Sequence, residues 1–143
     1  MQRVGVLVEL PRVLRDHGVD PGPVFGAAGV DGAQLSDSEN YLSMEAVCAL
    51  AASCTRATGQ DGFWMRLGAE VRPRHMGLMG TLIASAPSLR AALEDLVLNH
   101  PRYVRGGGPY LMSWENGGLL IAYRTHASHP RAGVYGQWIF CHE

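Results

Sequence analysis

The period of the apolar residues changes once along this chain, and that change limits the folds open to it. Up to about residue 100, apolar side chains recur every three to four positions, the spacing of a helix with one buried face; from residue 110 they alternate as in a strand. Leu10, Val13, Leu14 and His17 share one helical face, with Pro11 near its start and Gly18 just past its end, which predicts a short helix over 10–17. Val24, Phe25 and Ala28 mark a second over 21–28, closed by Gly29. The triplets Gly18-Val19-Asp20 and Gly29-Val30-Asp31 bracket that helix, and helix-stop followed by helix-start chemistry explains their likeness without a repeat array. Ser43 then caps a longer stripe of Val47, Leu50, Ala51, Cys54 and Thr58 that Gly59 closes.

Asp61 is expected to cap a short helix through Phe63, Trp64, Leu67 and Gly68, which ends at the Arg72-Pro73-Arg74 break. Residues 77–86 are almost entirely small and apolar, so a helix there is expected to be buried on all sides. Leu89, Ala92, Leu93, Leu96, Val97 and His100 form the next stripe, between a Ser88 cap and Pro101, with Arg90, Glu94, Asp95 and Asn99 on the other face. After Gly106-Gly107-Gly108, two alternating runs, 110–115 and 119–124, flank Asn116-Gly117-Gly118, a pattern that predicts a β-hairpin. Helices followed by antiparallel strands, with no strand-helix-strand alternation, give an α+β domain whose N-terminal part is mainly helical.

With 143 residues, 47% of them hydrophobic, one domain with a real core is expected. Charged residues make up 17% and the formal net charge is -1, so no long-range positive field concentrates a polyanion at the surface, and DNA binding by this chain alone is not expected. Cys48, Cys54 and Cys141 are odd in number and lack Cys-x-x-Cys spacing, as reduced thiols do. The apolar run before Glu9 and Pro11 is too short for a signal peptide or a membrane span, which points to the cytoplasm and to no membrane partner.

Little in the sequence carries chemistry. His126 and His129, followed by Cys141 and His142, hold the right donor types for zinc but no strong ligand spacing; they read better as loop and chain-end residues, and neither a metal nor a cofactor is expected. Ser85, Ser88 and His100 supply the residue types of acyl transfer without a nucleophile elbow, and Ser88 is better explained as a helix cap, so no catalytic residue is assigned. Gly77-Leu78-Met79-Gly80 lacks the lysine of a phosphate loop, and Gly106-Gly107-Gly108 lacks a following helix. The candidates for a small-molecule pocket gather around the helix-to-strand transition: His75, His100, Arg102, Tyr103, Trp114 and Tyr123, with Arg105 nearby. Aromatic walls and one orienting cation suit a ligand site. Taken singly, each aromatic also fits a core and each arginine a solvated surface, and His100 continues an apolar stripe.

Several short motifs in a fixed order add a family resemblance: Gly18-Val19-Asp20-Pro21, Ala27-Ala28-Gly29-Val30-Asp31, Asn40-Tyr41-Leu42-Ser43, Phe63-Trp64-Met65-Arg66-Leu67-Gly68, Gly77-Leu78-Met79-Gly80-Thr81-Leu82, Ala86-Pro87-Ser88-Leu89 and Ala92-Leu93. Together they resemble the N-terminal, arabinose-binding-type sensor domain of AraC-type transcription regulators, from about Leu10 onward. Pro101 and the Arg72-Pro73-Arg74-His75 turn depart from that pattern.

The resemblance implies that residues 1–143 form an effector-sensing and dimerisation domain, incomplete at its C-terminus, of a bacterial regulator whose helix-turn-helix DNA-binding domain is absent. It also implies the start of a terminal helix, in which Val134, Tyr135, Trp138 and Ile139 form an apolar face for self-association. The expected partners are a small-molecule effector, a second copy of the chain, and DNA only through the absent domain. The alternatives are a protein-protein interaction module using the Met- and Leu-rich surface of 77–86 and, more remotely, a small hydrolase or metal enzyme.

Overall fold

A computed structural model describes residues 1–102 and the backbone of 107–113 and 119–125. Six α-helices carry the described part: α1 (Leu10–Asp16), α2 (Pro21–Ala28), α3 (Met44–Thr58), α4 (Phe63–Ala69), α5 (Gly77–Ala84) and α6 (Leu89–Asn99). Four 3-10 turns join or extend them, at Gly5–Glu9, Gly32–Leu35, Pro73–Met76 and His100–Arg102. Strand β1 (Gln2–Arg3) pairs antiparallel with β2 (Tyr41–Leu42), and β3 (Gly107–Ser113) pairs antiparallel with β4 (Leu119–Thr125), with Gly107 opposite Thr125 and Ser113 opposite Leu119.

The ends of the helices follow from single residues. Asp20 accepts from the Gly22 amide at the start of α2, and Asp31 accepts from the Ala33 amide while its own N–H reaches the Gln34 side chain. The two Gly-Val-Asp triplets are therefore stop-and-start chemistry, as the sequence suggested. Ser43 and Ser88 accept from the Ala46 and Ala91 amides and cap α3 and α6. Gly29 closes α2 at φ 67°, a left-handed conformation that a side chain would resist. Asp61, by contrast, caps nothing: α4 enters through the Gln60 and Gly62 carbonyls, which accept from Phe63 and Met65, so no side-chain acceptor is used there.

The core of the described residues lies among the first four helices. Leu10 and Leu14 from α1, Phe25 from α2, Leu50 and Cys54 from α3, and Phe63, Trp64 and Leu67 from α4 are all buried in one cluster that also takes in Val4, Leu7 and Leu35. Phe63 meets Trp64 edge to face at 5.5 Å, and the Trp64 indole N–H donates to the Thr55 hydroxyl at 3.3 Å. Burying a side chain of this size contributes roughly 1.5–3 kcal/mol each. No helix among the described residues is long and apolar enough to cross a membrane.

Three expectations are corrected. The fold is mostly helical rather than α+β: among residues 1–102 the only strand pairing is the two-residue contact of β1 with β2, and the buried apolar cluster is filled by helices and turns. Strands β3 and β4 pair with each other and β3 lies against α6, but their side chains, residues 114–118 and the expected terminal helix lie outside the described residues, so the described core is helical. The second correction concerns α5. It is not buried on all sides, because only Met79 and Gly80 are buried while Leu78 is 80% and Leu82 39% exposed. It packs one side on the Pro73–Met76 turn and α6 and leaves the other open. Third, the α6 stripe is shallower than its periodicity implied: Leu93 and Leu96 are half-buried, Leu89 is exposed, and only His100 at the end is fully enclosed.

Candidate functional site

Two of the predicted site residues, His75 and His100, are buried, at 4% and 1% exposure, yet they sit in different surroundings. His75 lies in the Pro73–Met76 turn. Its Nδ1 accepts from the Arg72 backbone N–H at 3.1 Å, while its own N–H donates to the Arg72 carbonyl at 2.9 Å, so the two residues close a ring around Pro73 and Arg74. With Nδ1 an acceptor, the proton sits on Nε2, which donates to Glu9 Oε1 at 3.2 Å. Burial lowers the His75 pKa, reinforced by the charge of Arg74 and opposed by Glu9, so the ring is neutral at neutral pH.

Around this ring a polar cluster ties the N-terminal segment to the turn. The Glu9 carboxylate also accepts from Arg12 at 3.2 Å and Arg74 at 3.3 Å, and Arg12 reaches on to Asp16 and Glu70. Burial pushes the Glu9 pKa up, but hydrogen bonds from Arg12 and Arg74 and the nearby positive charge outweigh it and hold the carboxyl below its usual range. Arg3, only 6% exposed, donates through Nη1 to the His75 carbonyl at 2.7 Å and through Nε to Glu39 at 3.1 Å, and its Nη2 pairs with the same carboxylate. A buried guanidinium so fully paired fixes geometry more than it adds stability. His75 is thus a structural residue of this cluster, with both ring nitrogens committed to Arg72 and Glu9.

His100 and Arg102 stand together in the 3-10 turn that ends α6, and β3 runs past both that turn and α6. Burial pushes the His100 pKa down to about 4. Its ring can therefore offer a hydrogen bond near neutrality but no counter-charge; the exposed Arg102 keeps that capacity. Tyr123 holds the register position opposite Pro109 in the β3–β4 ladder. Its side chain, together with Tyr103, Arg105 and Trp114, lies outside the described residues, as do Val134, Tyr135, Trp138 and Ile139.

The residues weighed for catalysis have other uses. Ser85 donates to the Leu82 carbonyl and Ser88 caps α6, so both hydroxyls serve helix ends. Burial raises the pKa of Cys54 to about 12 and also raises that of Cys48, so neither is an activated thiol. Among the described residues no group of three or more His, Cys, Asp or Glu is placed to hold a metal; His126, His129, Cys141 and His142 fall outside them. Sequence reasoning missed Arg3, Glu9, Arg12 and Arg74 around His75. Only Arg74 is near in the chain; Glu9 and Arg3 are 66 and 72 residues away, and no local pattern joins them.

The described residues thus form a small helical array with a polar cluster at the Pro73–Met76 turn and with His100 and Arg102 at the end of α6. The family comparison is specific: residues 18–135 match the model of the arabinose-binding domain of AraC transcription regulator, N-terminal, and the chain belongs to that family. That family is a regulatory, non-enzymatic one. No curated protein matches the chain as a relative.

Proposed function

We propose that this chain is the effector-sensing and dimerising domain of an AraC-type transcription regulator, acting in the cytoplasm on DNA that a helix-turn-helix domain outside these residues contacts. The observation that carries the reading is the family match over 18–135. The effector is a small molecule, and its site is the region where α6 gives way to β3, with Arg102 as the orienting cation, His100 as a neutral hydrogen-bonding group, and Tyr103, Trp114 and Tyr123 as walls. His75 is not retained in that site, because its ring is spent on Arg72 and Glu9. Self-association uses Val134, Tyr135, Trp138 and Ile139.

Calorimetric titration with candidate metabolites, arabinose first because of the family's name, tests the site. Saturable binding that Arg102→Ala weakens supports it; saturable binding indifferent to Arg102→Ala places the ligand elsewhere. One observation favours a second reading, that of a protein-docking module: Leu78 and Leu82 stand one turn apart on α5, both exposed. Under that reading Leu78→Glu abolishes capture of the partner and no metabolite binds.

A further inference from the structure

We propose that His75 is an acid-sensitive latch that holds the Pro73–Met76 turn, and with it α5, against the N-terminal segment. Only one protonation state of the ring fits its surroundings. Nδ1 must accept from the Arg72 amide while Nε2–H donates to Glu9, which is the neutral Nε2–H tautomer. A proton added at Nδ1 faces the Arg72 N–H donor, so a hydrogen bond becomes a donor–donor contact in a site that water scarcely enters.

The charges around the ring decide how the strain is relieved. Glu9, from the Gly5–Glu9 turn, welcomes the new charge and is itself shared with Arg12 of α1. Arg74 and Arg72, on the same turn as the ring, oppose it, and Arg3 of β1, held by Glu39, already occupies the His75 carbonyl. Helix α5 brings no titratable group. The protonated ring is therefore pulled toward Glu9 and pushed from its own turn, which opens at the Arg72 end.

That opening reaches α5 because the helix rides directly on the turn. At Gly80 an added Cβ would lie 2.6 Å from the Pro73 carbonyl carbon, so no side chain separates the two backbones. At Gly77, where α5 begins with φ 57°, an added Cβ would lie 3.0 Å from the Arg3 guanidinium. The latch thus governs the helix that carries the exposed Leu78 and Leu82. Acidification below the ordinary histidine range, where burial has moved the His75 titration, loosens α5 while α3, anchored through Leu50 and Cys54, stays closed.

Nitrogen-15 NMR of the full chain tests this. Near neutrality His75 should give the Nε2–H tautomer. As its own resonance titrates on acidification, amides of Arg72 and α5 should lose exchange protection by about tenfold or more, with α3 little changed. His75→Gln should remove the acid response. Two further variants decide the matter even if that one fails to fold: Glu9→Gln removes the favourable charge and should move the His75 midpoint to lower pH, whereas Arg74→Gln removes an opposing one and should move it higher. An Nδ1–H tautomer at neutrality, α5 protection that ignores the His75 titration, or midpoints moving the same way in both variants would overturn the proposal.

Discussion

Replacing Gly80 by alanine sets two effects against each other at one position. Gly80 lies inside α5, where alanine is intrinsically favoured by about 1 kcal/mol. The new Cβ, however, would stand 2.6 Å from the Pro73 carbonyl carbon, 2.9 Å from its Cα, and closer still to its oxygen. Ordinary contact begins nearer 3.4 Å, and the obstacle is backbone, held in place by the Arg72–His75 ring and by Arg3. Turn and helix must part by more than about an ångström, an overpacking cost of about 1–3 kcal/mol that exceeds the propensity gain. Gly26 in α2 is the control, because its added Cβ meets nothing within 4 Å, so Gly26→Ala keeps only the gain of about 0.5–1 kcal/mol. Thermal unfolding of both variants should show opposite shifts, with Gly26→Ala a few degrees up and Gly80→Ala a few degrees down. A Gly80→Ala protein that melts at or above the parent would refute the close approach of α5 to the turn.

Other outcomes follow from burial. His100 has its pKa lowered from 6.5 to about 4, so its contribution is complete above about pH 6.5, declines as pH falls, and is exhausted near pH 4. At pH 5 the loss is roughly 2 kcal/mol; urea denaturation should show His100→Leu less pH-dependent than the parent over this range, and an unchanged pH slope would contradict the buried neutral ring. Leu50→Ala, at a fully buried position, should cost ~2–5 kcal/mol, and Leu93→Ala, half-buried, clearly less; equal costs by denaturant titration would mean α6 is enclosed. Cys54 should resist alkylation in the folded chain and react once it is unfolded, as mass spectrometry of trapped peptides can show; fast labelling of the native protein would contradict its burial.

What the sequence made legible was local. Ser43 and Ser88 announced their helices because a short polar side chain before an apolar stripe has one economical use, and Gly29 announced an end because it takes a left-handed conformation freely. Asp61 carried the same signal, but neighbouring carbonyls had already met the amides it was expected to cap. Burial was less legible, since the apolar run of α5 states a preference and not the presence of a neighbour on every side. Period two in 110–115 and 119–124 invited an α+β class, whereas the described core is a matter of helices. The His75 cluster was invisible because it joins residues 66 and 72 positions apart in the chain.

The central claim is that this domain binds a small-molecule effector. Thermal unfolding of the full chain against a graded panel of sugars, amino acids and carboxylic acids tests it most directly, because a ligand that binds only the native state stabilises it by about 2.7 kcal/mol at a hundredfold excess over Kd. One member of the panel should raise the melting temperature saturably, and Arg102→Ala should blunt that rise. A melting temperature unmoved by every member at millimolar concentration would contradict the claim.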